Sequence, residues 1–369
     1  MNFHVSIRAA REAAAIAGTL HYIMPILPHL ERVVRSENLS SGEAQEAMEA
    51  ILAGAASHAQ IAAFLVALRM KGETVEELVG FARAMRRMAA LAGAWLDLAD
   101  GEPLLDTCGT GGDGAGTFNI STIAAFVVAG AGVRVAKHGN RSISSRCGSA
   151  DLLESLGVVV AVTAERAAAA IREVGIGFLF APAMHTAMKH AHAVRTELKL
   201  RTVFNLLGPL TNPAGANAQL AGAPSPQAAE LMANALAALG LARGFVVHGS
   251  DGLDEITTTG PTAVFEIANG GVRLHCWRPE DFGVQPAPAA AIKGGDAMAN
   301  AAIAREVLAG CRGPRRDIVL VNAAAALIAA GKAGGLAEAM RLAAASLDSG
   351  AAAAKLAALA EFTRAEGPA

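Results

Sequence analysis

The sequence predicts a small helical domain, residues 25–99, followed by a larger α/β domain with a central, mostly parallel sheet. Three observations carry this. Apolar residues recur at helical spacing from about Leu27 to Ala99, with no strand signal between. The character changes at Gly101-Glu102-Pro103, after which short apolar runs alternate with helical patterns. Two glycine-rich loops then follow such runs within forty residues, each opening a helical pattern.

In the helical part, Ser40 or Ser41 caps a helix containing Glu43, Ala47 and Ile51. His58–Met70 forms the next, ended by Gly72, and Thr74 starts another with Glu76 and Glu77 in its first turn. In the α/β part, strands are expected at Leu104–Cys108, Val133–Ala136, Val158–Val162, Phe178–Phe180, Gly244–His248 and Asp317–Val321. Helices are expected from Ser121 and over Cys147–Leu156. Val264–Ile267 and Val272–Cys276 form a hairpin around Asn269-Gly270-Gly271, and alanine-rich helices close the chain.

A chain of 369 residues can bury a large core in two domains. Its formal net charge of -2 gives no overall basic surface for nucleic acid. The four cysteines, Cys108, Cys147, Cys276 and Cys311, show neither metal spacing nor a disulfide framework, which fits a reducing cytosol. No apolar run predicts a membrane span. Residues 1–24 carry no motif and are expected to lie outside the fold, with Met24 as an alternative start.

The first loop runs Asp106-Thr-Cys-Gly-Thr-Gly-Gly-Asp-Gly-Ala-Gly-Thr-Phe-Asn-Ile-Ser-Thr122. The second runs Lys137-His-Gly-Asn-Arg-Ser-Ile-Ser-Ser145. Such turns present backbone N–H groups and a helix N-terminus to an anion, and Lys137 and Arg141 add positive charge. Two adjacent anion sites suit a ligand with phosphates at both ends. Gly109, Gly111 and Gly114 match G-x-G-x-x-G, but the acid that would hold a dinucleotide ribose is missing between Asp113 and Asp151. No Walker motif occurs. Asp254-Glu255 follows the strand ending near His248, a place where paired carboxylates suit Mg²⁺ shared with phosphates. His185, Met188, His192 and Arg195 share one face if the segment is a continuous helix. Arg195 would then be able to hold an aromatic carboxylate through its planar fork, although the segment by itself reads more simply as a helix packing Met188 inward with its charges solvated. Asn205–Pro213 is expected to form a rigid loop.

Together these segments resemble the anthranilate phosphoribosyltransferases, in recognisable blocks from about Leu39 to Ile267. The resemblance implies the nucleoside-phosphorylase-like type of phosphoribosyltransferase. Its helical domain would include helices from about 186–205, and its α/β domain residues 100–185 and 206–369. It implies transfer of the phosphoribosyl group of 5-phosphoribosyl 1-diphosphate to the amine of anthranilate. Two Mg²⁺ per monomer, a homodimer, a cytoplasmic location, and no nucleic-acid or membrane partner go with it. Carried over, the sugar diphosphate meets Gly109, Gly112, Asp113, Thr117, Asn119, Ile120, Ser121 and Thr122. It also meets Lys137, His138, Gly139, Asn140, Arg141, Ser142, Ile143, Ser144, Ser145 and Ser149. Metal falls to Ser121, Asp254 and Glu255, and anthranilate to Gly109, His138, Asn140, His185, Arg195 and Pro209. No compulsory acid or base is assigned. Thr186, Lys199 and Ser250 depart from the family pattern, which has Pro, Gly and His there. A pyrimidine-nucleoside phosphorylase shares the implied architecture, but Lys137-His-Gly-Asn-Arg141 argues against it. A non-catalytic nucleic-acid binder conflicts with the charge and with the intact acid pair.

Overall fold

A computed structural model describes residues 25–89, 96, 98–99, 101–142 and 146–365. The expectations for residues 1–24 and for Ile143, Ser144 and Ser145 lie outside the described residues. Along the chain, α1 (Leu27–Val34), α2 (Ser41–Leu52), α3 (His58–Lys71) and α4 (Val75–Ala89) come first. Next come β1 (Leu104–Gly109), α5 (Ile120–Gly130), β2 (Arg134–Gly139), α6 (Ser149–Ser155), α7 (Ala164–Glu173), β3 (Ile176–Phe180) and α8 (Ala181–Met184). α9 (Lys189–Leu198), α10 (Phe204–Leu207), β4 (Ala218–Gly222), α11 (Pro226–Ala238), β5 (Arg243–Gly249), β6 (Thr262–Ala268) and β7 (Gly271–Trp277) follow. α12 (Ala297–Leu308), α13 (Pro314–Ala329), α14 (Leu336–Asp348) and α15 (Ala351–Arg364) end the chain. No single helix among the described residues is long and apolar enough to cross a membrane.

The chain forms two compact units. One takes the residues up to Met85 together with Ala187–Thr202; the other takes Arg86–Thr186 and Val203–Ala369. In the helical unit, the Ser40 hydroxyl caps α2 and Glu43 returns a bond to the Ser40 N–H. Ser57 and Gln60 do the same for α3, and Thr74 and Glu77 for α4. Glu77 is fully buried, yet accepts from Leu39 N at 2.9 Å and from Lys71 Nζ at 3.0 Å, so its charge is matched.

The α/β unit holds one seven-stranded sheet in the order β3-β2-β1-β4-β5-β6-β7. β1 to β5 are parallel, and β6 and β7 run antiparallel at one edge. The β6–β7 turn has positive φ at Asn269 (52°) and Gly270 (73°), the geometry that Asn-Gly favours in a two-residue hairpin. α5 and α13 are the buried helices of the core, α13 being enclosed along almost its whole length.

Four expectations are corrected. Asp317–Val321 is the first turns of α13, not a strand. Pro314 opens the helix after Gly313, and burial on all sides erases the periodicity that would mark it as helical. Val158–Val162 is extended but unpaired: Val158 and Val160 face the core, Val159 is exposed, and the Val159 N–H donates to Thr363 Oγ1 instead of a neighbouring strand. Residues 204–210 are two short helical turns, α10 and a 3₁₀ turn over Gly208–Leu210, not a loop. Finally, residues 185–195 are not one helix. His185 ends α8 with φ -117° and ψ 58°, and α9 starts only at Lys189, so His185 and Arg195 share no helical face.

Candidate active site

All five parallel strands present their C-terminal ends at one edge of the sheet, where ligands of open α/β folds gather. Chain order reverses between β1 and β4, and the first loop leaves there. Gly111, Gly112, Gly114 and Gly116 all have φ between 64° and 72°. Those left-handed positions favour glycine. Asp113 steadies the loop by accepting from Ala115 N at 3.0 Å. A later segment holds it as well. Thr117 bridges Lys293, Gly294 N donates to Gly116 O at 3.0 Å, and the Lys293 ammonium bonds Ala115 O. Buried Asn300 donates to Asn119 Oδ1 at 3.0 Å, while Asn119 donates to Cys147 O at 3.0 Å.

The acid pair lies across the ends of β1 and β4. Asp254 Oδ2 accepts from Gly111 N at 2.7 Å, and Glu255 Oε1 accepts from Ser121 N at 3.1 Å. Both carboxylates are buried. Gly109 and Gly222 are register partners, and each leaves room for Asp254. A Cβ on Gly222 would sit 1.6 Å from Asp254 O, and one on Gly109 2.4 Å from Asp254 Oδ2. Burial, then the Asp254 charge, pushes the Glu255 carboxyl up to about 8. Lys137 is buried beneath the start of α5, its ammonium on Thr107 O and 3.5 Å from Ser121 Oγ. Burial lowers its pKa, opposed by Asp106, Cys108 and Glu255.

Asp254 and Glu255, buried side by side and each accepting an N–H from the phosphate-type loop, form a hard oxygen donor set. Among the described residues no cluster of three or more His, Cys, Asp or Glu could hold a metal alone. Mg²⁺ binds through one or two carboxylates plus substrate phosphates and water, and Asp254 with Glu255 supplies such a pair.

The second loop carries its own polar frame. Asp151 Oδ2 accepts from Ser142 N at 3.1 Å and Gly148 N at 2.9 Å, and Ser149 Oγ donates to Asn140 O at 3.2 Å. Arg141 makes a fork to Glu154 at 2.6 and 2.7 Å and reaches Asp151 at 3.1 Å, with its guanidinium 5.6 Å from the Phe180 ring centre. In this state its charge is matched by acids. The His138 and His185 rings lie 5.1 Å apart. Burial pushes His138 to about 3, with His185 adding to the fall, and pushes His185 to about 4. Each has a buried Nε2 without a partner. Pro209 is buried, and its carbonyl accepts from Gln219 Nε2 at 2.7 Å. Arg195 belongs to the helical unit, on α9, and burial lowers its pKa.

Comparison with known proteins bears on this arrangement. The helical bundle domain of the glycosyl transferase family matches residues 27–89, and the a/b domain of that family matches residues 101–353. The chain is 69% identical over 339 residues to the anthranilate phosphoribosyltransferase of Solibacter usitatus, covering 92% of this chain and 99% of the relative. The chain belongs to the anthranilate phosphoribosyltransferase family. A solved family member from Thermus thermophilus superposes with a TM-score of 0.85 at 48% identity, covering 91% of this chain and 99% of the other. The Saccharomyces cerevisiae member, solved in complex with PRPP and Mg, superposes at 0.82 with 29% identity, covering 92% and 97%.

Sequence reasoning missed several parts that shape this family site. Gly222, Gln219, Lys293, Gly294 and Asn300 each lie more than a hundred residues from the first-loop residues they meet. Only the fold brings them near, so no local signal marks them.

Proposed function

We infer that this chain transfers the phosphoribosyl group of 5-phosphoribosyl 1-diphosphate to the amino group of anthranilate, giving N-(5-phosphoribosyl)anthranilate and diphosphate for tryptophan biosynthesis. The observation that carries the reading is the meeting of the left-handed glycine loop with the buried Asp254–Glu255 pair at the point where strand order reverses. Family membership names the substrates.

The chain's own groups divide the work. Gly109, Gly112, Asp113 and Thr117, the first turn of α5 (Asn119 to Thr122) and residues 137–145 with Ser149 take the phosphates. Asp254, Glu255 and Ser121 would hold Mg²⁺, two ions per monomer, and the metal would supply positive charge against the departing diphosphate. As the C1–O bond to diphosphate breaks, the new N–C1 bond forms, and the one proton the amine gives up passes to the departing diphosphate or to water. Placement suffices for so weak a base, and no compulsory acid or base is assigned. Arg195 takes the anthranilate carboxylate. His138, Asn140, His185, Pro209 and Gly109 line the acceptor site, the imidazoles in their neutral form. The protein acts as a cytoplasmic homodimer, without nucleic acid or membrane.

The test follows anthranilate consumption and diphosphate release with Mg²⁺ present. Wild type should consume both substrates one to one. Asp254→Asn with Glu255→Gln should lower turnover strongly and raise the Mg²⁺ requirement while the fold survives. Unchanged turnover and unchanged Mg²⁺ dependence would remove the acid pair from the reaction.

A further inference from the structure

We propose that Asn322, on the buried helix α13, is the positioning residue of the acid pair: its amide grips both sides of Ile256 and so fixes where Glu255 points. Its Oδ1 accepts from Ile256 N at 2.9 Å, and its Nδ2 donates to Ile256 O at 2.9 Å. The same Nδ2 also donates to Ile318 O, one turn back on α13, at 2.9 Å. Asn322 and Ile256 are 0% and 1% exposed, so neither group has water as an alternative. The inference rests on the metal role proposed for Asp254 and Glu255.

The chemistry of the helix favours this over packing. From Ile318 to Ala329, Asn322 is the only residue with a polar side chain. Asn is a mediocre helix former, and burying an amide costs free energy unless it is bonded. A leucine would fill the place without that cost if filling were all that was needed. The amide instead matches one residue's N–H and C=O as a neighbouring strand would. Ile256 follows Glu255 directly, and the other end of the acid pair is tied through Asp254 to Gly111. The segment is thus held from the loop side by Gly111 and Ser121 and from the helix side by Asn322.

The experiment measures Mn²⁺ binding by the electron paramagnetic resonance of free Mn²⁺, with 5-phosphoribosyl 1-diphosphate present and its own Mn²⁺ binding subtracted. Asn322→Leu should weaken protein-bound Mn²⁺ at least about tenfold, equivalent to about 1.4 kcal/mol. Leu327→Ala, also fully buried on α13, should lower the melting temperature but leave Mn²⁺ binding within about twofold. Asn322→Asp sets a second acceptor oxygen against the Ile256 and Ile318 carbonyls, and should weaken Mn²⁺ binding at least about tenfold as well. Asn322→Leu binding Mn²⁺ within twofold of wild type overturns the proposal, as does equal weakening by Leu327→Ala. Should Asn322→Leu not fold, Asn322→Asp and Asn322→Ser decide on the same criterion. Asp254→Asn with Glu255→Gln is the separate control. If it leaves Mn²⁺ binding intact, the metal role itself fails, whatever Asn322 does.

Discussion

Removing one ring of the His138–His185 pair should flatten the acid side of the stability curve. Burial holds the two rings at about 3 and about 4, against an ordinary value of 6.5. Below pH 6.5 the unfolded chain binds protons that the folded rings refuse. Stability from these groups is therefore complete above 6.5 and drains away as the pH falls toward 4. At pH 5 each ring costs the fold about 2 kcal/mol by proton linkage, so the pair costs about 4. His185→Gln should be less stable than wild type at pH 7, since it disturbs a packed ring. The gap should narrow by about 1–2 kcal/mol at pH 5, because one proton-refusing group is gone. Denaturant titration followed by Trp277 reads the α/β unit, for that indole packs 5.0 Å from Phe245 and 5.6 Å from Phe282. Parallel curves for variant and wild type between pH 7 and 5 would show that the rings protonate freely in the fold, and the burial argument would be wrong.

Arg195→Ala should raise the Michaelis constant for anthranilate roughly ten- to a hundredfold, the loss of a charge-assisted contact worth about 1.5–3 kcal/mol. The constant for the sugar diphosphate should move much less, and Arg195→Lys should rescue only in part; a loss confined to the sugar diphosphate would refute the assignment. Gly222→Ala puts a methyl 1.6 Å from a backbone oxygen, so the Asp254 segment must shift by an ångström or more. Turnover should fall about a hundredfold, and activity within twofold of wild type would show that the acid pair tolerates displacement. Lys199 ends α9 in the left-handed region at φ 50° and ψ 28°. Lys199→Gly should therefore stabilise the helical unit by about 1 kcal/mol, visible as a raised melting temperature.

The Lys199 geometry also gives a physical reason for the glycine that the family pattern favours there: that backbone is strained for any residue with a Cβ. The glycine loops, the adjacent acids and the serine cap at Ser40 or Ser41 were legible because each is local, carried by adjacent residues; the reciprocal bonds that complete the capping boxes are shown only by the structure. β4 was not legible. Ala218-Gln-Leu-Ala-Gly222 lacks the β-branched residues that mark a strand, because Gly222 must clear Asp254 and Gln219 must bond Pro209 O and Cys108 Sγ. The false strand at 317–321 has the opposite cause, a β-branched run enclosed as a helix. The single face expected for His185 and Arg195 failed because spacing predicts a face only while the helix is unbroken, and it breaks at His185.

The helical unit is built from two stretches of chain with about a hundred residues between them, Met85 to Ala187. α9 packs against α2 and α3, and the Arg69 guanidinium bonds Arg201 O across 132 positions of sequence. During synthesis α1 to α4 therefore leave the ribosome without their last partner. At roughly 5–20 residues per second, α9 arrives several seconds to about twenty seconds later. β1, β2 and β3 are made during that wait, and β1 itself lacks β4, which lies still further along the chain. Neither unit can close before its late element is made: the helical unit stays open until α9 arrives, and β1 lacks its second neighbour until β4 follows. Pulsed hydrogen exchange on stalled nascent chains should show α2 and α3 gaining protection only once residue 202 has cleared the tunnel; protection before that point would mean the first four helices are self-sufficient.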